Sequence, residues 1–386
     1  MTHIAPSPEI YGPGSFTDES PLPVPDDARR IVNMPAQATP GFTQDSYKWE
    51  SVIFDGTADP IVPGPLKSPA MAAALHGMCG VVANETIQDH DNKTNQAQAQ
   101  IITHHASLWL GTVDFVKWNR IDMAELGKSD AWGLVSLHGS LNAYPVLQAI
   151  GLDPVSPCFS SQEAYDLISK HVQQFSADEL EMKIIKIGLC GNIVYTPKGR
   201  WETEMSKQLS RHPLVNYKPQ IHAIPTLPPP PTAVPKVAWD KRPLAGVEVV
   251  ELVRIIAGPT IGTTLAAFGA DVIRSLQLTL NAGIRTIDID LTKNGDREHL
   301  MRLIRDADVF VQGYRPGVIG KNGLSLSHLL EMTGNRGKGI VYVEENCYGP
   351  NGNKLEMLGQ VHLTSQQNQW GAPMAPASFL LCLFLT

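Results

Sequence analysis

Paired cysteines, an excess of positive charge and long apolar runs are all missing from this chain of 386 residues. Lysine and arginine number 31 against 38 aspartates and glutamates, a formal net charge of −7, so there is no basic footprint for a nucleic acid. The five cysteines, Cys79, Cys158, Cys190, Cys347 and Cys382, lie far apart and form no C-x-x-C pair. An odd, scattered set argues against a disulfide framework and points to reduced thiols in an intracellular, cytoplasmic protein. No apolar run reaches the ~18 residues that a membrane span needs, and the first thirty residues lack the positive-then-apolar order of a signal peptide. The glycine fingerprint of a dinucleotide site is also missing. Gly258 and Gly262 stand four apart with Pro259 between them, which sets NAD binding aside. Charge itself disappears after Glu356: from Met357 to Thr386 there is no Lys, Arg, Asp or Glu. SFLLCLFL near the end reads as an aggregation-prone segment, and residues 353–386 are expected to be an atypical tail.

What is present is a run of short apolar stretches alternating with helical ones between residues 243 and 352. Val247, Val249, Val250 and Leu252 make a strand that reads as covered on both faces, interrupted by Glu248 and Glu251. Ala257-Gly258-Pro259 follows at a strand-to-helix turn, with Pro259 suited to helix entry. Thr260–Phe268 is expected to be a helix rich in small residues ended by Gly269, and Asp271–Ser275 the next strand. This order predicts an α/β fold with a doubly wound sheet.

The rest of the chain divides around it. Residues 1–45 carry Pro6, Pro8, Pro13, Pro21, Pro23 and Pro25 among polar residues and read as a disordered or extended leader. Order is expected from Tyr47–Phe54 onward. Ser68 and Pro69 open a helix with Met71, Leu75, Met78 and Val82 on one face, running to about Ile87. Ala99–Gly111 is strand or helix on periodicity. Ser160 with Glu163, and Ser176 with Glu179, are capping boxes for two helices. Ile193–Tyr195 reads as a short strand, and Pro197 starts a further helix. Residues 223–242, with IPTLPPPPTAVP, are a semi-rigid linker.

The blocks PLAGVEVVEL, AGP, LAAFGADVI, NAGIRTIDIDL, DADVFVQGYRPGVIGKNGL and GIVYVEENCYGPNG occur in order. Together they resemble the opening half of family III CoA-transferases, the CaiB/BaiF type that includes formyl-CoA transferase and α-methylacyl-CoA racemase. SPAMAAALHGMCG onward and SADELEMKIIKIGLCG onward resemble the same family's second half. Residues 46–222 therefore look like a degenerate second half and 243–352 like a first half. Fusion of two copies, the later one cut short, is the preferred account of that order, and circular permutation of one subunit the alternative. Long two-part chains of this type resemble fungal proteins, some of secondary-metabolite pathways.

The resemblance implies a Rossmann-like sheet with a smaller α+β portion. It implies transfer of CoA from an acyl-CoA thioester to a carboxylic acid, with coenzyme A as substrate and no permanently bound cofactor or metal. It also implies interlocked homodimers, and neither a nucleic-acid nor a membrane partner. By position, the CoA-contacting residues would be Arg254, Ala257, Gly258, Pro259, Asn281, Arg285, Tyr314, Arg315, Lys321, Asn346 and Gly349. Family members attack the thioester with an aspartate. The matching place falls near Lys67–Ala70, where no aspartate stands, and Asp55 and Asp59 precede it in another context. No catalytic residue is assigned. An acyl-CoA racemase, which would need a histidine and a carboxylate at one site, and a non-catalytic CoA-binding remnant are the alternatives. His104 and His105, read as strand neighbours on opposite faces, are expected to be structural.

Overall fold

The computed structural model describes residues 21–62, 67–91, 98–110, 117–118, 121–122, 137–138, 143–191, 193, 195, 197–213, 215–216, 240–254, 256–275, 280–314, 317–336 and 339–346. The chain divides into two units, one holding the described residues of 18–116 and 212–345, the other those of 117–211 and Asn346. In chain order the first unit opens with α1 (Val24–Ala38), α2 (Ser46–Glu50), β1 (Ile53–Asp55), α3 (Ser68–Asp91), β2 (Gln100–Ile102) and α4 (Thr103–Trp109). The second unit holds β3 (Lys117–Trp118), β4 (Ile121–Asp122), β5 (Leu137–His138), α5 (Tyr144–Ala149), α6 (Ser161–Val172), α7 (Ala177–Lys186), β6 (Cys190–Gly191), α8 (Pro197–Glu202) and α9 (Glu204–Leu209). The first unit then resumes with β7 (Glu248–Leu252), α10 (Ala257–Ala267), β8 (Asp271–Ser275), β9 (Ile284–Ile287), α11 (Asn294–Asp306), β10 (Val309–Gln312), α12 (Leu326–Thr333) and β11 (Val341–Glu344).

β7 to β11 form one five-stranded sheet in the order β11-β10-β7-β8-β9, with every pairing parallel. This is the half-sheet order of the doubly wound folds, and it reverses beside β7. The expected fold class is the one found. Side chains alternate along the strands as the pleat requires. Val249 and Val253 of the β7 segment, with Val272, Val309, Val311 and Val343, enter a core that includes Ile261 and Leu265 of α10. Val250, Leu252 and Phe310 join Leu300 and Ile304 of α11 and Leu329 of α12 on the other face. Each such side chain contributes on the order of 1.5–3 kcal/mol of transfer free energy.

The first face has a further cover, which overturns part of the expected leader. Val24–Ala38 is a 15-residue helix. Its Val24, Ala28, Val32 and Ala36 are buried at i, i+4 spacing in the same core as the sheet, together with Ala73, Leu75, Met78 and Val82 of α3. Two alanines in that stripe, and Pro25 and Pro35 within the sequence, hide the period. Pro25 lies in the first turn, where a missing N–H costs little. The expected boundary at 45–46 therefore falls inside one packed unit. Tyr47–Phe54 splits into α2 and β1, and Ala99–Gly111 into β2 and α4. His104 and His105 sit in α4, not in a strand, and His104 Nε2 lies 2.7 Å from Thr57 Oγ1, joining two turns. In the second unit the Ser176–Glu179 capping box is complete, while Glu163 reaches back to the N–H of Phe159 instead of Ser160. Leu180 and Ile184 of α7 pack with Val146 and Ile150. Cys190–Gly191 forms a strand there, and of the expected strand Ile193–Tyr195 the described Tyr195 makes a single β-bridge while residue 194 lies outside the described residues.

One polar contact is sunk in the sheet. Glu251 and Arg274 are register partners across β7 and β8, both 0 % exposed, with Arg274 Nε 3.1 Å from a Glu251 oxygen. The Gly262 N–H of α10 donates to Glu251 Oε1 at 2.9 Å, and a Cβ on Gly262 would overlap that carboxylate. Arg274 Nη2 donates to the carbonyl of Leu280 at 2.7 Å, which also accepts from Thr263 Oγ1 at 2.7 Å. Strand, helix and the left-handed turn at Leu280 (φ 60°) are tied at one point. Removing one member strands the other's charge, which costs about 3–5 kcal/mol for a buried pair. Arg274→Met should therefore lower the urea midpoint strongly, and adding Glu251→Gln to it should restore part of the loss. Simple additivity of the two costs would show that no such pairing operates.

Candidate functional site

In an open parallel sheet, ligands bind beyond the carboxyl ends of the strands where the strand order reverses. Here that place lies between the ends of β7 and β10. Three chain segments meet there: Val253–Arg254 with the start of α10, Gly313–Tyr314 after β10, and Glu345 after β11. A cavity of about 60 Å³ opens on the α11 side and is lined by Leu252, Arg254, Ser275, Ile289, Leu303 and Tyr314 among others.

Small residues bring these segments together. A Cβ on Gly258 would lie 2.5 Å from Val253 Cβ, so only glycine lets the first turn of α10 rest on the end of β7. That first turn has no side-chain cap and no acidic residue. Its backbone N–H groups and the positive end of the helix dipole thus have no carboxylate of their own turn to meet. After β10, the Tyr314 N–H donates to Gln312 Oε1 at 2.8 Å, and Gln312 Nε2 donates to Glu344 Oε1 at 2.8 Å. That relay fixes the path of the chain as it leaves the strand.

The predicted site residues are distributed unevenly. Arg254, Ala257, Gly258, Pro259 and Tyr314 lie at the carboxyl edge, and Asn346 is grouped with the second unit. Arg285 does not: it makes a two-pronged pair with Asp271, both bonds 2.7 Å, near the amino end of β8. Asn281 follows Leu280 beneath α10, and Lys321 lies exposed in the 3₁₀ turn Gly320–Asn322. Arg315 and Gly349 fall outside the described residues. Lys67, at the place where an aspartate would be expected, pairs with Asp27 of α1 at 2.9 Å. Arg30 holds the same carboxylate at 2.6 Å. Burial works against ionisation of Asp27, but the bonds from Lys67 and Arg30 prevail and hold it below the usual carboxylate range. No cluster of metal-ligating side chains occurs among the described residues, and no described helix is long and apolar enough to cross a membrane.

Comparison with known proteins bears on the family of this chain. The sequence profile described as CoA-transferase family III matches residues 244–274 and 274–367. The acyl-CoA transferase of Gibberella moniliformis is 40 % identical over 394 aligned residues, covering 91 % of this chain and 68 % of that protein. The chain belongs to CoA-transferase family III. The acetyl-coenzyme A transferase nodX of Hypoxylon pulicicidum is 34 % identical over 55 % of this family III chain, which spans 38 % of nodX. A crystal structure of a CaiB/BaiF family protein from Brucella suis is 29 % identical over 26 % of this chain and 32 % of its own, with a TM-score of 0.23, too low to support an argument about overall shape. The profile match runs to 367, into the tail that was expected to lie outside the resemblance.

Two groups at this edge were not singled out from sequence: the buried Arg274, and Glu345. Arginine opposite glutamate in two apolar strands was the available signal for the first, and two acids closing an apolar strand for the second. Burial pushes the Glu345 carboxyl up from 4.5 to about 7. The native protein then keeps a proton there between about pH 4.5 and 7 that the unfolded chain has lost, so stability falls as pH rises across that window and levels off above it. Urea midpoints at pH 5 and pH 7.5 check this. Glu345→Gln should flatten the decline relative to the unsubstituted protein, and parallel declines would refute the assignment.

Proposed function

We propose that this chain binds an acyl-CoA thioester at the carboxyl edge of β7 and β10 and takes part in moving CoA to a carboxylic acid. Membership of family III supports a transferase, as do the names of its relatives, acyl-CoA transferase and acetyl-coenzyme A transferase. The observation that carries the binding step is the uncapped first turn of α10, set against Val253 beside Arg254. A helix N-terminus with free N–H groups is a site for phosphate, and a guanidinium adds charge-assisted bonds to it. Tyr314 and the apolar wall of Leu252, Ile289 and Leu303 supply the flat, dry surface that a nucleotide or acyl chain needs. Roles for Ala257, Gly258, Pro259, Tyr314 and Asn346 belong to this proposal, as do those for Arg315, Lys321 and Gly349.

Among the described residues at this edge there is no histidine, which favours transfer over racemisation. The group that attacks the thioester is left unassigned. Asp27, the α1 carboxylate paired with Lys67 at the start of α3, is held by two cations, and this favours a second reading in which the described residues bind CoA without turning it over. Assembly as an interlocked homodimer and a place in secondary metabolism complete the proposal.

Calorimetric titration with CoA and acetyl-CoA tests the binding step. Arg254→Ala should weaken binding roughly ten- to hundredfold, the loss of about 1.5–3 kcal/mol from a charged hydrogen bond. Absence of heat with either ligand on folded protein would overturn the reading. Transfer of acetyl label to a panel of free carboxylic acids separates the transferase from the binding remnant.

A further inference from the structure

Glu345 is a carboxyl group at the switch-point crevice that the fold does not use. It stands one residue past β11, and the sheet fixes its backbone, since its N–H donates to the Gln312 carbonyl at 2.9 Å. Its side chain lies over Gly313: a Cβ there would come within 3.1 Å of Glu345 Oε2 and 3.5 Å of Val253 Cγ1. The missing methyl thus leaves room for the carboxyl between the ends of β10 and β7. Among the described residues, no hydrogen bond or ion pair engages it. Its neighbour Glu344 is committed instead, accepting from Gln312 Nε2 and, at 3.3 Å, from the Tyr342 hydroxyl. The surrounding strand ends contribute Arg254 from β7, Gln312 and Tyr314 from β10, and Tyr342 and Glu344 from its own strand. Burial alone, and none of these groups, raises the affinity of Glu345 for its proton.

A carboxyl so placed has two states with opposite effects on a ligand. Ionised, it presents a negative charge to phosphates and carboxylates, which are themselves anionic. Neutral, it is an O–H donor with no internal acceptor. We propose that Glu345 is the acid-recognition group of the CoA-ester site, its neutral carboxyl donating a hydrogen bond to an oxygen of the acyl group or free acid seated in the crevice. The inference rests on the CoA-binding reading, and it adds a residue, a protonation state and a preference for ligands whose acceptor oxygen reaches the space above Gly313. It involves no covalent step: the proton comes from solvent on binding and returns to it on release.

The test is acetyl-CoA binding by calorimetry with the full chain, between pH 6 and pH 8, in buffers of differing ionisation enthalpy. Binding to the unsubstituted protein should weaken about tenfold across that range, the change in the neutral fraction of a group titrating near 7, and should take up protons near pH 7.5. Glu345→Gln keeps a donor that does not titrate. It should lose the extra proton uptake and show only the pH dependence that the ligand's own phosphates impose on every variant. Gly313→Ala, which crowds the carboxyl outward, should shift the uptake to lower pH, and it carries the test if Glu345→Gln does not fold. Equal proton uptake in all three proteins overturns this inference and leaves CoA binding standing. No heat with acetyl-CoA at any pH removes the CoA reading itself, and this inference with it.

Discussion

The fully buried contact between Glu251 and Arg274 is the constraint on which the crevice depends. Two apolar strands each give up one core position to a charge, and the charges meet across the ladder. Isolated, either would cost several kcal/mol to bury. Together they also capture the N–H of Gly262 and the carbonyl of Leu280, so α10 and the turn that enters β9 are pinned to the same point. Gly262 has no Cβ to intervene, and Gly258 allows the same close approach one turn earlier. The positive end of α10 is thereby delivered to the place where β7 stops. A phosphate site of the kind proposed above would need little from surface side chains, because backbone N–H groups and the helix dipole would carry it.

Environment, not residue type, separates the carboxylates of this unit. Asp27 and Glu345 are both partly or wholly withdrawn from water. Lys67 and Arg30 hold Asp27 ionised, whereas among the described residues no cation meets Glu345, and burial raises its carboxyl to about 7. The first acts as a tie between α1 and the start of α3, and the second remains available at the edge of the sheet. Divergent settings of like groups are how one fold assigns structural and acid–base tasks to the same side chain.

Packing also joins two stretches that are far apart in sequence. Residues of α1 and α3 share a core with β7, β8, β10 and β11, so the sheet is covered on one face by one helix from the expected leader and one, α3, from the part of the chain that resembles the family's second half. That arrangement is what either origin considered above needs, a fused copy or a permuted subunit, since in each the two halves must meet. A masking layer from elsewhere in the chain is also what a parallel sheet demands, because both of its faces are apolar.

The sequence by itself determined the fold class, the strands β7 and β8, and the small-residue helix that follows β7, because strand alternation, glycine and proline act over a few residues; that helix starts at Ala257, so Ala257-Gly258-Pro259 forms its first turn and not the turn before it. It determined the Ser176–Glu179 cap for the same reason. It also pointed to the family, through six blocks in a fixed order. Only the tertiary structure decided that Val24–Ala38 is a buried helix, since a stripe of two valines and two alanines is too weak a signal without the surface it packs against. Only the tertiary structure separated Arg285, spent on Asp271, from Arg254 at the crevice, and paired Glu251 with Arg274. Those outcomes depend on which residues become neighbours across the ladder, and a linear pattern of apolar and charged positions carries no information about register between strands separated by a turn or a helix.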